Sequence, residues 1–210
     1  MDKILKQIGL LGILPIATIA DEKKAVPLAR TLSESGLPVI EVTFRTQAAA
    51  SVIEKIAKDS SLMLIGAGTI LTIDQAQTAI NAGARFIVSP GFNSKVVEFC
   101  LSKSIPIIPG ITTPTEIQYA IEYNLEVVKF FPAEASGGTE YLKAIAAPFK
   151  EMQFIPTGGI EESTLLSYLR LPCVLACGGS WMIQPEMIRT GQFENIAELT
   201  QKAVTCAKKR

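Results

Sequence analysis

Residues 38–44 read PVIEVTF and residues 126–132 read EVVKFFP. Both are short runs rich in β-branched and aromatic residues, apolar almost without a break. Each is interrupted by one charge, Glu41 in the first and Lys129 in the second. A strand with one wet face alternates polar and apolar residues, whereas an unbroken apolar run fits a parallel sheet covered on both faces. Six further runs share the pattern: GILPIA (12–17), LMLIGAGT (62–69), RFIVSP (85–90), IPIIPG (105–110), MQFIPTGG (152–159) and CVLACGGS (173–180).

Helical patterns fill the gaps. Residues 21–36 carry apolar Ala25, Val26, Leu28, Ala29 and Leu32, with Pro27 as an interruption and Gly36 as a stop; residues 46–59 are strongly helical. Thr72 with Gln75 and Thr113 with Glu116 fit capping boxes, Pro114 falls at a first helical position, and Gly83 closes the helix after Thr72. The strand ends, marked by Thr18, Thr43, Thr69, Pro90, Gly110, Pro132, Thr157 and Gly178, recur every 20 to 26 residues. Eight βα units at that interval predict a single α/β domain over residues 1–210, a (β/α)8 TIM barrel of near-minimal size. An open doubly wound sheet alternates in the same way but usually has five or six strands.

Composition narrows the chemistry. The 210 residues are 48% hydrophobic and 19% charged, enough for a substantial core. Twenty basic residues balance twenty acidic ones, leaving no excess to neutralise a nucleic-acid backbone. There is no histidine. That excludes Ser-His-Asp and Cys-His hydrolases and any zinc site built on imidazole. Acid–base and nucleophilic work falls to Glu, Asp, Lys, Tyr, Ser, Thr or Cys. Cys100, Cys173, Cys177 and Cys206 form no CxxC and read as small buried hydrophobes in a reduced compartment. The apolar N-terminal stretch is broken by Gly9, Gly12 and Pro15, and no apolar run is long enough for a membrane span. The expectation is a cytoplasmic protein without membrane partners.

In a barrel of this kind, function gathers at the C-terminal ends of the strands. Lys129 is expected there, and burial favours the free amine that a Schiff base needs. A structural lysine paired inside the barrel is the alternative. Glu41 either pairs with Lys129 or shuttles protons, or does both in sequence. Arg45 opens the next loop, where its fork suits a substrate carboxylate, unless it is an ordinary surface arginine. Gly158–Gly159 and Gly179–Ser180 fall in the loops after the seventh and eighth runs, the recurrent phosphate site of such barrels. Thr69 and Thr157 offer hydroxyls to a substrate or merely cap their turns. Phe131, two residues past Lys129, shares its face and either walls the pocket or belongs to the core. Trp181 reads equally as core or subunit interface.

Taken together, PVIEVTFRT, GAGTILT, FIVSPGFN, PIIPGITTPTE, KFFPAEASGG, FIPTGGI and CGGSWM resemble, in order and over roughly residues 10–182, the bacterial class I 2-keto-3-deoxy-6-phosphogluconate (KDPG) aldolases. Those enzymes commonly also act on 4-hydroxy-2-oxoglutarate. The resemblance implies a pyruvate Schiff base on Lys129 and general acid–base work by Glu41. It implies Arg45 and Thr69 on the pyruvate carboxylate, and Thr157 on the aldehyde half. Gly158, Gly159, Gly179 and Ser180 would receive the phosphate. It further implies a homotrimer, a phosphorylated keto acid as substrate, and no metal or other cofactor. A sister family cleaves the galactonate epimer, and the threonine of PTGGI favours the gluconate type. A phosphosugar isomerase or epimerase, or a phosphosugar-binding sensor, are the rival readings of the same barrel. Residues 183–210 match no motif and are assigned a helical, barrel-closing role.

Overall fold

The computed structural model describes residues 1–59 and 63–210. Its strands are β1 (Ile13–Ala17), β2 (Val39–Thr43), β3 (Leu64–Gly68), β4 (Phe86–Val88), β5 (Ile107–Ile108), β6 (Gly110–Ile111), β7 (Val127–Phe130), β8 (Gln153–Pro156) and β9 (Cys177–Gly179). Between them lie α1 (Lys3–Leu11), α2 (Ala25–Glu34), α3 (Ala49–Asp59), α4 (Ile73–Ala82), α5 (Ser94–Ser102), α6 (Pro114–Glu122), α7 (Gly138–Ala146), α8 (Glu162–Leu169), α9 (Pro185–Thr190) and α10 (Phe193–Ala207). The fold is α/β, with parallel strands in a curled sheet and a helix after nearly every strand.

The strands order as β5-β4-β3-β2-β1-β9 in one sheet and β6-β7-β8 in a second, and every pairing is parallel. The expected eight equal strands thus become nine segments in two sheets. The run at 105–110 is divided at Pro109, which has no N–H to give the ladder. The run at 173–180 shrinks to the three residues of β9. Leu62, the first residue of the run at 62–69, lies outside the described residues.

β2 and β3 are buried at all five of their positions, as their unbroken apolarity requires. Successive side chains point to opposite faces, so Ile40 and Val42 pack outward while Glu41 and Thr43 share the inner side. The helix expected at 21–36 begins as a 3-10 turn, Glu22–Lys24, and continues as α2. Pro27 falls in the first turn of α2, where its missing N–H would have had no helical partner. The helix expected at 46–59 starts at Ala49. Gly83 ends α4 at φ 109°, in the left-handed region where a side chain is strained.

Residues 183–210 form α9 and α10, as expected. α10 packs against α2 and α8, and Ile196, Thr200, Ala203 and Ala207 are its buried residues. The guanidinium of Arg210 donates to the carbonyls of Gly9 and Leu175, tying this end of the chain to α1 and to the approach to β9. Cys100 and Cys177 are buried, Cys173 and Cys206 partly so, and all four are free. Burial pushes the Cys100 thiol up to about 11. Among the described residues, no helix is long and apolar enough to cross a membrane.

Candidate active site

β2 and β7 lie in different sheets, yet each carries its one charge inward, and the curl brings the two together. Lys129 Nζ stands 3.7 Å from Glu41 Oε1. Glu41 is 1% exposed and Lys129 7%. At that separation the two form an ion pair but no hydrogen bond, and Glu41 Oε1 is buried with no hydrogen-bond partner among the described residues. Such a pair is a poor stabiliser. Well-packed hydrophobic side chains in its place are often neutral or better by about 1–4 kcal/mol. Two buried charges facing each other from within their strands, one with an unbonded carboxylate oxygen, point to chemistry.

Neighbouring residues make room for the pair. β2 runs beside β3, with Thr43 opposite Gly68. A Cβ on Gly68 would overlap the Glu41 carboxylate, so only glycine leaves that carboxylate its place. Lys129 Nζ lies 5.2 Å from the centroid of the half-buried Phe131 ring, so alternation has put the ring beside the amine. Thr43 is buried, and its hydroxyl is 2.9 Å from that of Thr18. Since Ile16 is in register with Glu41, Thr18 and Thr43 sit two residues further along both strands, on the same side as the carboxylate. The sequence offered both threonines only as markers of strand ends and not as site residues, although Thr43 follows Glu41 at the period of a strand and could have been one.

The remaining predicted residues ring this centre at strand ends. Thr69 follows β3 at φ 59°, an outlier for a β-branched residue, and its hydroxyl has no partner among the described residues. Arg45 is exposed in the turn after β2 and makes no ion pair with any described residue; the structure does not bring it onto Lys129 or Glu41. Thr157 is buried at the end of β8 and bridges to Gly178. Gly158 and Gly159 follow at φ 97° and 82°, two positions that only glycine takes without strain, and α8 begins three residues on. Ser180 is exposed just past β9. The N–H groups of Gly158, Gly159 and Ser180 donate to no acceptor among the described residues. Phe131 touches both regions, since a Cβ on Gly158 would stand 3.2 Å from its ring. The indole of Trp181 packs on Gly179, so Trp181 supports this loop from within.

Two buttresses were not anticipated. Ala133 and Glu134 donate their N–H groups to the carbonyls of Thr157 and Gly158 at 2.8 and 3.0 Å. The Glu134 carboxylate accepts a hydrogen bond from the Tyr168 hydroxyl. Burial first, then this carboxylate, raises the pKa of the phenol.

The model of the KDPG and KHG aldolase family matches residues 2–199. The chain belongs to that family. Relatives named as members agree along nearly the whole length. The 2-dehydro-3-deoxy-phosphogluconate aldolase of Treponema pallidum is 47% identical over 204 residues, 97% of each chain. The KHG/KDPG aldolase of Escherichia coli K12 is 40% identical over 93% of this chain and 92% of its own. Among solved structures, the KDPG aldolase of Legionella pneumophila superposes with a TM-score of 0.92 at 36% identity, over 95% of this chain and 97% of that one. That crystal structure holds pyruvate, captured at low pH, as a covalent carbinolamine intermediate.

Proposed function

We propose that the protein is a class I aldolase. It cleaves 2-dehydro-3-deoxy-6-phosphogluconate to pyruvate and glyceraldehyde 3-phosphate, and 4-hydroxy-2-oxoglutarate to pyruvate and glyoxylate. The observation that carries this reading is the approach of Lys129 Nζ to the buried Glu41 carboxylate, 3.7 Å away.

Lys129 passes its ammonium proton to Glu41 and, as the free amine, attacks the C2 ketone to form a carbinolamine. Glu41 relays the proton that lets water leave, giving a protonated imine. The Glu41 carboxylate then takes the proton of the C4 hydroxyl. The C3–C4 bond breaks, the C4 oxygen becomes the carbonyl of the released aldehyde, and the bonding electrons pass into the iminium to give an enamine. Glu41 returns a proton to C3, and water hydrolyses the new imine to free pyruvate and Lys129. The iminium is the electron sink, so the sequence as written runs without a metal. Arg45 and Thr69 hold the pyruvate carboxylate, Phe131 walls the imine, and Thr157 meets the hydroxyls of the aldehyde half. The unengaged N–H groups of Gly158, Gly159 and Ser180, with Gly179 giving close approach, receive the phosphate.

Incubation with pyruvate and borohydride, followed by mass measurement, tests the scheme. A reduced adduct mapping to Lys129, absent in Lys129→Ala, is expected. No adduct, or one that persists in that variant, removes the mechanism.

We further infer that residues 1–210 form one domain with a closed barrel of eight strands, β5 and β6 being one strand interrupted at Pro109. The parallel bridges Phe154–Val174 and Thr157–Gly178, which join β8 to the β9 segment, support closure. A homotrimer is supported by an apolar patch of Leu71, Ile73, Phe92 and Tyr119. In it the Phe92 ring lies 6.0 Å from that of Tyr119, tilted by 37°, and Asn93 ties its loop to the Leu71 carbonyl. Four free cysteines are in keeping with a cytoplasmic location.

A further inference from the structure

We infer that Glu134 and Tyr168 form a positioning pair that holds the Thr157–Gly158–Gly159 loop in its anion-binding shape; this rests on the reading of that loop as the phosphate subsite. Glu134 lies five residues after Lys129, between β7 and α7. Its N–H is bonded to the Gly158 carbonyl at 3.0 Å, and that of Ala133 to the Thr157 carbonyl at 2.8 Å. Its side chain then runs across Gly159, where a Cβ would stand 2.7 Å from both Glu134 Cβ and Cγ. Gly159 is therefore glycine for two reasons, its positive φ and the chain lying on it.

Beyond Gly159, the carboxylate meets the phenol of Tyr168, which projects from α8 and is 0% exposed. A buried hydroxyl left unpaired is expensive, so this bond is hard to give up. It joins the segment after the Schiff-base strand to the helix after the phosphate loop. The loop between them is clamped on both sides, while the N–H groups of Gly158 and Gly159 stay unengaged among the described residues.

What the pair supplies is shape. A carboxylate close to a phosphate subsite opposes the ligand's charge, so its retention there is explained by the bond to Tyr168 and not by attraction. Glu134→Gln keeps an acceptor for the phenol; Glu134→Ala and Tyr168→Phe both lose the bond. The pair should therefore bear on the phosphorylated substrate alone.

Steady-state kinetics with 2-dehydro-3-deoxy-6-phosphogluconate and with unphosphorylated 4-hydroxy-2-oxoglutarate read this out. Tyr168→Phe and Glu134→Ala are expected to raise KM for the phosphorylated substrate about fivefold to tenfold, the weight of one net hydrogen bond. They should change kcat little and leave the unphosphorylated substrate unaffected. Glu134→Gln should recover most of what Glu134→Ala loses. Equal losses on both substrates, or no change on either, overturn the inference. Ser180→Asp separates the two levels of the claim, since a new negative charge in the phosphate subsite should penalise the phosphorylated substrate far more than the unphosphorylated one. If Ser180→Asp discriminates and Tyr168→Phe does not, the positioning pair alone falls. If Ser180→Asp does not discriminate, the loop is not the phosphate site, and the inference falls with that reading.

Discussion

Gly68 shows how much of the site depends on a side chain that is absent. It stands opposite Thr43 in the sheet, and the Glu41 carboxylate occupies the space its Cβ would fill. Gly68→Ala should push that carboxylate off its line to Lys129. Misplacing a catalytic group by about 1 Å typically costs on the order of a hundredfold in rate. A fall in kcat of that order is therefore expected, and an unchanged kcat would show that Glu41 does not act from this position. Lys129 and Glu41 were legible in the sequence because a charge within a buried strand is unfavourable unless it has a task. Gly68 was not, since a glycine in a strand announces close approach without saying what approaches. Arg45 marks the same limit from the other side. The sequence places it in the turn after β2, but a long exposed side chain has many rotamers, and its proposed position depends on a ligand carboxylate.

Element ends are set by local chemistry, and they were read well wherever a cap decides them. The Glu116 carboxylate accepts the N–H groups of Thr112 and Thr113, both at 2.8 Å, at the start of α6. Glu116→Ala should lower stability by about 1 kcal/mol, measurable as a shifted denaturation midpoint; no shift would mean that water serves those groups equally well. At α4 the box is offset. Thr72 caps the Gln75 N–H, but the Gln75 amide oxygen accepts from Leu71 instead of Thr72. The spacing was legible, and the partner was a matter of geometry. The fifth and eighth runs also show what patterns miss. Apolarity marks where a strand can exist, but its length depends on whether neighbouring backbone is there to pair with. Pro109, Pro172 and two consecutive glycines leave little of it at β5, β6 and β9.

At the scale of the whole molecule, the proposed trimer makes a direct prediction. Replacing Leu71 and Tyr119 together by Glu places charges in the apolar patch they share with Phe92. Light scattering should then report a monomer where the parent reports three copies; a parent that is already monomeric would remove the proposal. The sequence by itself determined the parallel α/β class, the spacing of the βα units, and which two charges are buried within strands. These follow from periodicity and from the cost of desolvating a charge, which are local or nearly so. Only the tertiary structure decided that Glu41 and Lys129, 88 positions apart and in different sheets, face each other at 3.7 Å. It alone decided that Glu134 and Tyr168 clamp a glycine loop between them. Those contacts depend on how far the sheet curls and on how helices pack over its rim. Curl and packing are sums over many side chains, which no single stretch of sequence carries.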